Sequence, residues 1–539
     1  MPTFSSGLLI SAAVAAHGYL VWYRLLAYLR YFQQEGYEHT RFLRWTHARS
    51  LSDPAFWLSV IGVLLYPRWP TAVTMGVVAS VIRLARVQPD PRRSGKITLK
   101  MTWRAVRVQA IAFLIATTVW VGLTALFVGA AAGPMLLASA FVYAVAPFVL
   151  ILSNTCLMPY ERRVQRQYEA EAVRRVADLR PFIIGITGSY GKSSSKAILA
   201  HILQFHGPTL AASGSINTLM GVTRHIREAL LPGHVFMVVE MGAFQAGSIT
   251  RLCQLTPPSA ALITAVGDMH LERFGSLDAI VRAKGELAAA LPPDGLLVVN
   301  ADSAGALRIA QNTRGRRILL YGETSAEDLD TRLEQVEFST TGTAFVLRTR
   351  DNVYRCMTPL LGRPIVLNLA GAFTLACAVG VDPVVAVAAL TTLRPVSNRL
   401  EVVTESGVTW IRDAYNSNQA GFRAALEVVA ALPVTRRFLA TPGVIELGAE
   451  QFAVNRALAR ESAAVCDAAL VVADTNREAF AAGYRDANRE DRLVSVPSRA
   501  AAFRWLRETV REGDAVILEN DLPDLYEPSG VFWKTGSRS

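Results

Sequence analysis

Gly188-Ser189-Tyr190-Gly191-Lys192-Ser193-Ser194-Ser195 sets two glycines, a lysine and a run of hydroxyls directly after the apolar run Phe182–Thr187. A helical pattern follows through Ala197, Ile198, Ala200, His201 and Ile202. Strand, glycine-rich turn and helix form the context a phosphate loop needs. The glycines let backbone N–H groups turn toward phosphate oxygens, and the helix N-terminus adds partial positive charge. In that geometry Lys192 reaches the β- and γ-phosphates and the Ser193 hydroxyl ligates Mg²⁺. Gly188, Ser189, Gly191, Lys192, Ser193 and Ser194 are therefore candidate nucleotide-binding residues. An ordinary glycine-rich turn into a helix is the alternative, and Ile186 stands where the general pattern has its first glycine.

Three further residues could carry charge to such a loop. Glu240 closes the apolar run Phe236–Val239. An acid after four apolar residues is costly unless something pairs with it, either a metal or a basic side chain. His270 follows a second apolar run, Ala260–Val266, and Lys284 stands in Ala283-Lys284-Gly285-Glu286. Taken singly, a histidine is more often structural and a lysine more often a solvated surface residue.

Together, and in this order, these segments resemble the Mur ligase family over most of residues 181–450. Gly185-Ile186-Thr187-Gly188-Ser189-Tyr190-Gly191-Lys192-Ser193 is similar to that family's variant of the phosphate loop, G-x-T-G-[ST]-x-G-K-[ST]. The nearest pattern is the type that joins D-alanyl-D-alanine to the UDP-muramoyl tripeptide. The resemblance implies that Asn217, in Gly214–Val222, lies beside the phosphates. It implies that Glu240 and His270 bind metal, and that Lys284 is carbamylated and holds or supports a second Mg²⁺. Asp413-Ala414-Tyr415-Asn416-Ser417-Asn418 resembles the D-x-Y-N-x-N segment whose aspartate holds the ATP ribose. Arg399 resembles the hinge arginine near the nucleotide, and Gly443–Gly448 the M-L-E-L-G loop. Catalytic roles would then fall to Lys192, Lys284 and His270. Cofactors would be ATP and Mg²⁺, the metal held by Ser193, Glu240, His270 and Lys284.

The pattern also departs from the family. The run Gly362–Asn368 keeps only its last asparagine, so Asn368 is the implied adenine contact. Gln419 replaces an expected proline, and Asn455 a common histidine. The family's N-terminal UDP-gripping domain has no counterpart; an apolar region occupies its place.

That region shapes the bulk composition: 539 residues, 51% hydrophobic, 18% charged, net charge +11. Gly7–Tyr23, Val108–Ala132 and Met135–Leu152 each approach the roughly 20 residues needed to span a bilayer. Residues 55–82, split by Pro67-Arg68-Trp69-Pro70, read as a shallow or re-entrant hairpin. Arg83, Arg86, Arg92, Arg93, Lys96, Lys100, Arg104 and Arg107 mark a cytoplasmic loop by the positive-inside rule. The five cysteines are scattered with no C-x-x-C pair, so neither a zinc site nor a disulfide framework is suggested.

The expected architecture is an all-α transmembrane domain over residues 1–155 and a charged connector helix over 156–180. A P-loop central ATPase domain over 181–395 and a Rossmann-like C-terminal domain over 396–539 complete it. Alternating strands and helices imply mainly parallel sheets and an α/β fold. The expected function is ATP-dependent amide ligation through an acyl phosphate, at the cytoplasmic (inner) membrane, on a cell-envelope precursor. Its partners are ATP, a carboxylate donor, an amine acceptor and the lipid bilayer. Two alternatives stand beside it, a poly-γ-glutamate synthase-like ligase and a P-loop ATPase driving transport or assembly. Nucleic acid is not an expected partner, because the basic loop lies between apolar segments.

Overall fold

The computed structural model describes residues 4–47, 53–87, 90–93, 98–126, 133–267, 274–324, 328–339, 341–395, 400–413, 418–445 and 447–520. Two compact units divide the chain near residue 164. The first is helical: α1 (Phe4–Gln34), α2 (His39–His47), α3 (Pro54–Leu65), α4 (Pro70–Val87), α5 (Trp103–Ala125) and the opening turns of α6 (Gly133–Leu179). Among the described residues two helices are long and apolar enough to cross a membrane, α5 and the stretch of α6 from Met135. They contain the expected spans at 108–132, as far as these residues are described, and 135–152. The span at 7–23 lies within α1, and the expected hairpin folds as α3 and α4. Those two helices pack tightly, since a Cβ at Gly62 would lie 2.9 Å from Val77 Cγ2.

Two buried polar pairs inside this unit offset part of the cost of burial. Asp53 caps α3 by accepting from the Ala55 N–H at 2.9 Å and meets the Arg24 guanidinium at 2.7 Å. His17 stacks on Trp120 and shares a hydrogen bond with the Tyr143 hydroxyl at 3.1 Å.

The charged connector is not a separate element. Residues 133–179 form one helix that continues through Pro147 and Pro159. No glycine lies between Ser153 and Leu179 to end it, and the Glu- and Arg-rich sequence has high helix propensity. Its last turns bury Ala172 and Val176 in the core of the second unit.

That unit holds two sheets. The first comprises β1 (Phe182–Thr187), β2 (Thr209–Ala211), β3 (Phe236–Glu240), β4 (Ala260–Ile263), β5 (Leu296–Asn300), β6 (Arg317–Gly322), β7 (Thr331–Ser339), β8 (Gly342–Thr349) and β9 (Val353–Thr358). Its order is β2-β3-β1-β4-β5-β6-β7-β8-β9, parallel as far as β7 and antiparallel beyond. Both faces are covered, so the parallel strands read as continuous apolar runs. Ile184 and Ile186 of β1 face α7 (Lys192–Leu203), α12 (Arg363–Ala378) and α13 (Pro383–Leu390). Ile183 faces the opposite core with α8 (Leu219–Ala229), α9 (Ser248–Leu255), α10 (Leu277–Ala289) and α11 (Ala304–Asn312). Because β3 and β4 flank β1, the C-terminal ends of all three open at one edge. In open α/β sheets that is where ligands bind.

The second sheet has order β10-β11-β15-β12-β13-β14, all parallel except β10. Its strands are β10 (Glu401–Glu405), β11 (Val408–Asp413), β12 (Arg437–Thr441), β13 (Ala468–Val472), β14 (Leu493–Val496) and β15 (Ala515–Glu519). Helices α14 (Gln419–Ala431), α15 (Gln451–Val465), α16 (Arg477–Asp486) and α17 (Arg499–Thr509) pack around it. The apolar runs at Arg437–Thr441, Ala468–Ala473, Leu493–Val496 and Ala515–Leu518 mark β12 to β15 in the sequence, whereas the β10–β11 hairpin and the β7–β9 meander emerge only in the structure.

Helices α15 and α16 approach closely at Gly483, where a Cβ would lie 2.3 Å from the Arg456 carbonyl oxygen. Gly483→Ala therefore forces the helices apart, at a cost of about 1–3 kcal/mol. A lowered denaturation midpoint with an unchanged denaturant slope is the expected readout.

Candidate nucleotide and metal site

The turn after β1 is built as a phosphate cradle. Gly191 takes φ +79° as the N-cap of α7 and offers no side-chain cap to the first-turn N–H groups. A Cβ at Gly191 would fall 2.5 Å from the Asn368 amide oxygen, so Asn368 packs directly on the loop. Ser189 is pinned from the other side: its hydroxyl donates to the Gly267 carbonyl at 2.9 Å and accepts from the Gly267 N–H at 3.0 Å. The Thr264 hydroxyl donates to the Tyr190 carbonyl at 2.5 Å. Ser194 is buried in the first turn of α7.

Charged groups converge on this loop. The Lys192 ammonium donates to the carbonyls of Gly188 at 2.8 Å and Ser189 at 3.0 Å. Lys284, from α10, donates to the same Gly188 carbonyl at 2.8 Å and is 4% exposed. Burial, and then the charge on Lys192, hold the Lys284 amine well below the ordinary lysine value. Both effects favour the uncharged form of the amine. Glu240, 2% exposed, accepts from the Ser193 hydroxyl at 2.8 Å and from the Asn217 amide at 3.1 Å. Ser215 Oγ lies 3.0 Å from Ser193 Oγ.

A buried carboxylate, a serine hydroxyl and uncapped helix N–H groups suit a hard cation carried on phosphate oxygens. Among the described residues no cluster of three or more His, Cys, Asp or Glu side chains exists.

Lys192, Ser193, Asn217, Glu240, Lys284 and Asn368 thus come together from five segments. Asp413 stands apart, at the end of β11 in the second sheet, where Oδ1 accepts from the Leu400 N–H at 3.3 Å. His270, Arg399 and Glu446 lie outside the described residues.

The sequence reading missed two partners. Lys196, one helical turn beyond Lys192, donates to the Gly214 carbonyl and lies 3.5 Å from Glu240 Oε2. Its signal was a lysine set among buried positions of α7. Glu286 caps α9, accepting from the N–H groups of Gly247 at 2.7 Å and Thr250 at 2.9 Å. Its place two residues after Lys284 locks α10 against α9.

A phosphate loop at the edge of a parallel sheet, followed by a second Rossmann-like sheet, defines a two-domain P-loop α/β protein. Residues 186–376 match the Mur ligase middle domain, and residues 398–519 match the glutamate ligase domain of Mur ligases. A UDP-N-acetylmuramoyl-tripeptide--D-alanyl-D-alanine ligase of Mycobacterium tuberculosis is 32% identical over 360 residues, 62% of this chain and 70% of the relative. The ligase of the same name from Escherichia coli is 33% identical over 274 residues, 51% of this chain and 60% of its own length. MurF from Acinetobacter baumannii superimposes with a TM-score of 0.61 at 25% identity, covering 67% of this chain and 78% of that one. MurF from Thermotoga maritima, solved with ADP, shares the fold at a TM-score of 0.59 and 22% identity over 66% of this chain and 80% of its own. The chain belongs to the Mur ligase family, a family of ATP-dependent amide ligases.

The buried Lys284 gives a stability prediction. Its folded pKa lies below the unfolded value of 10.5, so the unfolded state binds the additional proton between the two. Stability therefore rises with pH through that window. Lys284→Met removes this dependence. Its melting temperature should exceed the parent's at about pH 8, and the gain should shrink as pH approaches 10.5.

Proposed function

We propose that this protein is a membrane-anchored, ATP-dependent amide ligase that activates a carboxylate as an acyl phosphate on a cell-envelope precursor. The observation that carries the reading is the Glu240 carboxylate bonded to Ser193 in the first turn of the phosphate-loop helix, with Lys192 and Lys284 on the Gly188 carbonyl. In this reading a substrate carboxylate attacks the γ-phosphate of ATP and ADP leaves. An amine then displaces phosphate to form the amide. Positioning and charge neutralisation are what such a site contributes.

Lys192 leaves its loop carbonyls for the β- and γ-phosphates. Gly188, Ser189, Gly191 and Ser194 present backbone and hydroxyl groups around them, while Asn217 and Asn368 close the two sides. Ser193 and Glu240 would hold Mg²⁺, which would supply charge neutralisation at the transferring phosphoryl group. By family resemblance His270 joins them as a metal-binding and catalytic residue, Arg399 meets the nucleotide at the hinge and Asp413 meets its ribose. The lowered pKa of Lys284 supports carbamylation, because a neutral amine captures CO₂ and the product is an anion suited to a second Mg²⁺.

The relatives' names place their activity on the UDP-muramoyl tripeptide and D-alanyl-D-alanine. The chain spans 60–70% of their length, and the described part of its residues 4–164 is mainly helical, with two helices long and apolar enough to cross a membrane. This supports location at the cytoplasmic (inner) membrane with a donor presented there. The catalytic domains then stand on the ATP-rich cytoplasmic side.

Detergent-purified protein should release ADP and phosphate only when a carboxylate donor and an amine are both present. Lys192→Ala should lower that rate by on the order of 10²-fold or more. Turnover that needs neither substrate would replace the ligase reading with a transport or assembly ATPase. Intact mass measured after incubation with bicarbonate should show one added CO₂ in the parent and none in Lys284→Met; identical masses would remove the carbamate.

A further inference from the structure

Lys196 is a charged side chain in a place where the local sequence calls for an apolar one. It is 3% exposed, and Ser194, Ser195, Ile198, Leu199 and Ala200 around it on α7 are buried as well. An ammonium is placed there only against a strong requirement, because taking it out of water costs several kcal/mol unless partners replace the solvent. The partners are specific. Nζ donates to the Gly214 carbonyl and approaches Glu240 Oε2 at 3.5 Å, the same oxygen that accepts from Ser193. Glu240 in turn binds Asn217 through its other oxygen at 3.1 Å.

Three segments distant in sequence are thereby tied through two side chains: the first turns of α7, the end of β3, and the loop from Gly214 to Asn217. Gly214 opens that loop at φ +65°, and the Gly242 N–H returns to the Asn217 carbonyl at 3.1 Å. Lys192 and Lys196 sit one turn apart on the same helix, yet they point to different tasks. Lys192 faces the loop carbonyls, whereas Lys196 faces the carboxylate behind them.

We propose that Lys196 is a positioning residue for the divalent cation that accompanies the nucleotide. Its ammonium holds the Glu240 carboxylate in one orientation and clamps the 214–217 loop to α7, so the metal meets a preformed oxygen ligand. The inference rests on the nucleotide-and-Mg²⁺ reading of the site, and it is separable from that reading because it concerns metal dependence alone. Partners behind a metal ligand commonly contribute 10- to 100-fold in metal affinity.

The test is a binding measurement on the full chain in detergent. A fluorescent ATP analogue at fixed concentration is titrated with Mg²⁺, and its affinity is measured separately in EDTA. Lys196→Met should raise the Mg²⁺ needed for half-saturation by about tenfold. Affinity in EDTA should stay within about twofold, and Lys196→Arg should recover part of the Mg²⁺ response. Glu240→Gln should weaken Mg²⁺ binding, and Lys196→Met/Glu240→Gln should be no worse than Glu240→Gln alone, since the two act as one unit. The double variant buries no unpaired charge, so it carries the comparison if Lys196→Met fails to fold.

An unchanged or tighter Mg²⁺ response in Lys196→Met, an equal loss with and without metal, or additive effects in the double variant would overturn the proposal while leaving the nucleotide site intact. A parent chain that binds no nucleotide with or without Mg²⁺ would overturn the ligase reading along with it.

Discussion

Burying the Glu240 carboxylate is the constraint around which the candidate nucleotide site is organised. A charge at the end of a fully buried strand needs several partners to replace water. It finds them in Ser193 and Lys196 from α7 and in Asn217 from the neighbouring loop. Each of those bonds fixes a segment that would otherwise be free to drift relative to β3. The phosphate loop, the 214–217 loop and the strand edge are therefore held in one geometry by bonds among the protein's own groups. Pre-organisation of this kind is what phosphoryl transfer rewards, because the protein contributes positioning and charge rather than covalent chemistry.

The same principle repeats away from the site. In the helical unit the Arg24 guanidinium meets Asp53 Oδ1 at 2.7 Å, and the same oxygen caps α3. At the second sheet Asn455, fully buried, accepts from the Val444 N–H and donates to the Val444 carbonyl, both at 2.8 Å. Asn476 donates to the Pro442 carbonyl at 2.8 Å, so two amides hold the loop after β12. The asparagine that departs from the family's usual histidine thus has a structural task in this chain. Arg363, from the altered run at the start of α12, reaches both Glu323 and Glu427 and ties the first sheet to α14 of the second.

Lys284 shows how a shared acceptor sets chemistry. Two lysines donate to the one Gly188 carbonyl, and the more buried of them gives way. Burial, and then the charge of a neighbour that its own sequence segment does not contain, lower the pKa of its amine. Glu286, two residues on, is spent on the N-terminus of α9 and is thereby removed from the phosphate chemistry.

The sequence by itself determined the phosphate loop, the acid at the end of β3, the parallel α/β class and the apolar helices. Each is a local pattern: a glycine-rich turn between strand and helix, a charge ending an apolar run, or an apolar stretch of membrane length. The order of these signatures carried the family resemblance. Only the tertiary structure decided which groups meet. Lys196 against Glu240, Lys284 on the Gly188 carbonyl and Asn368 on Gly191 are contacts between segments 44, 96 and 177 positions apart, respectively. The β10–β11 hairpin and the β7–β9 meander also escaped the sequence reading, because half-exposed antiparallel strands lack the continuous apolar runs that mark buried parallel ones. Residues 133–179 became one helix rather than a span and a separate connector, since nothing in their local sequence stops a helix that packing at its far end rewards. Local chemistry is written in neighbouring residues, whereas charge pairing across a core depends on how the sheet brings distant ones together.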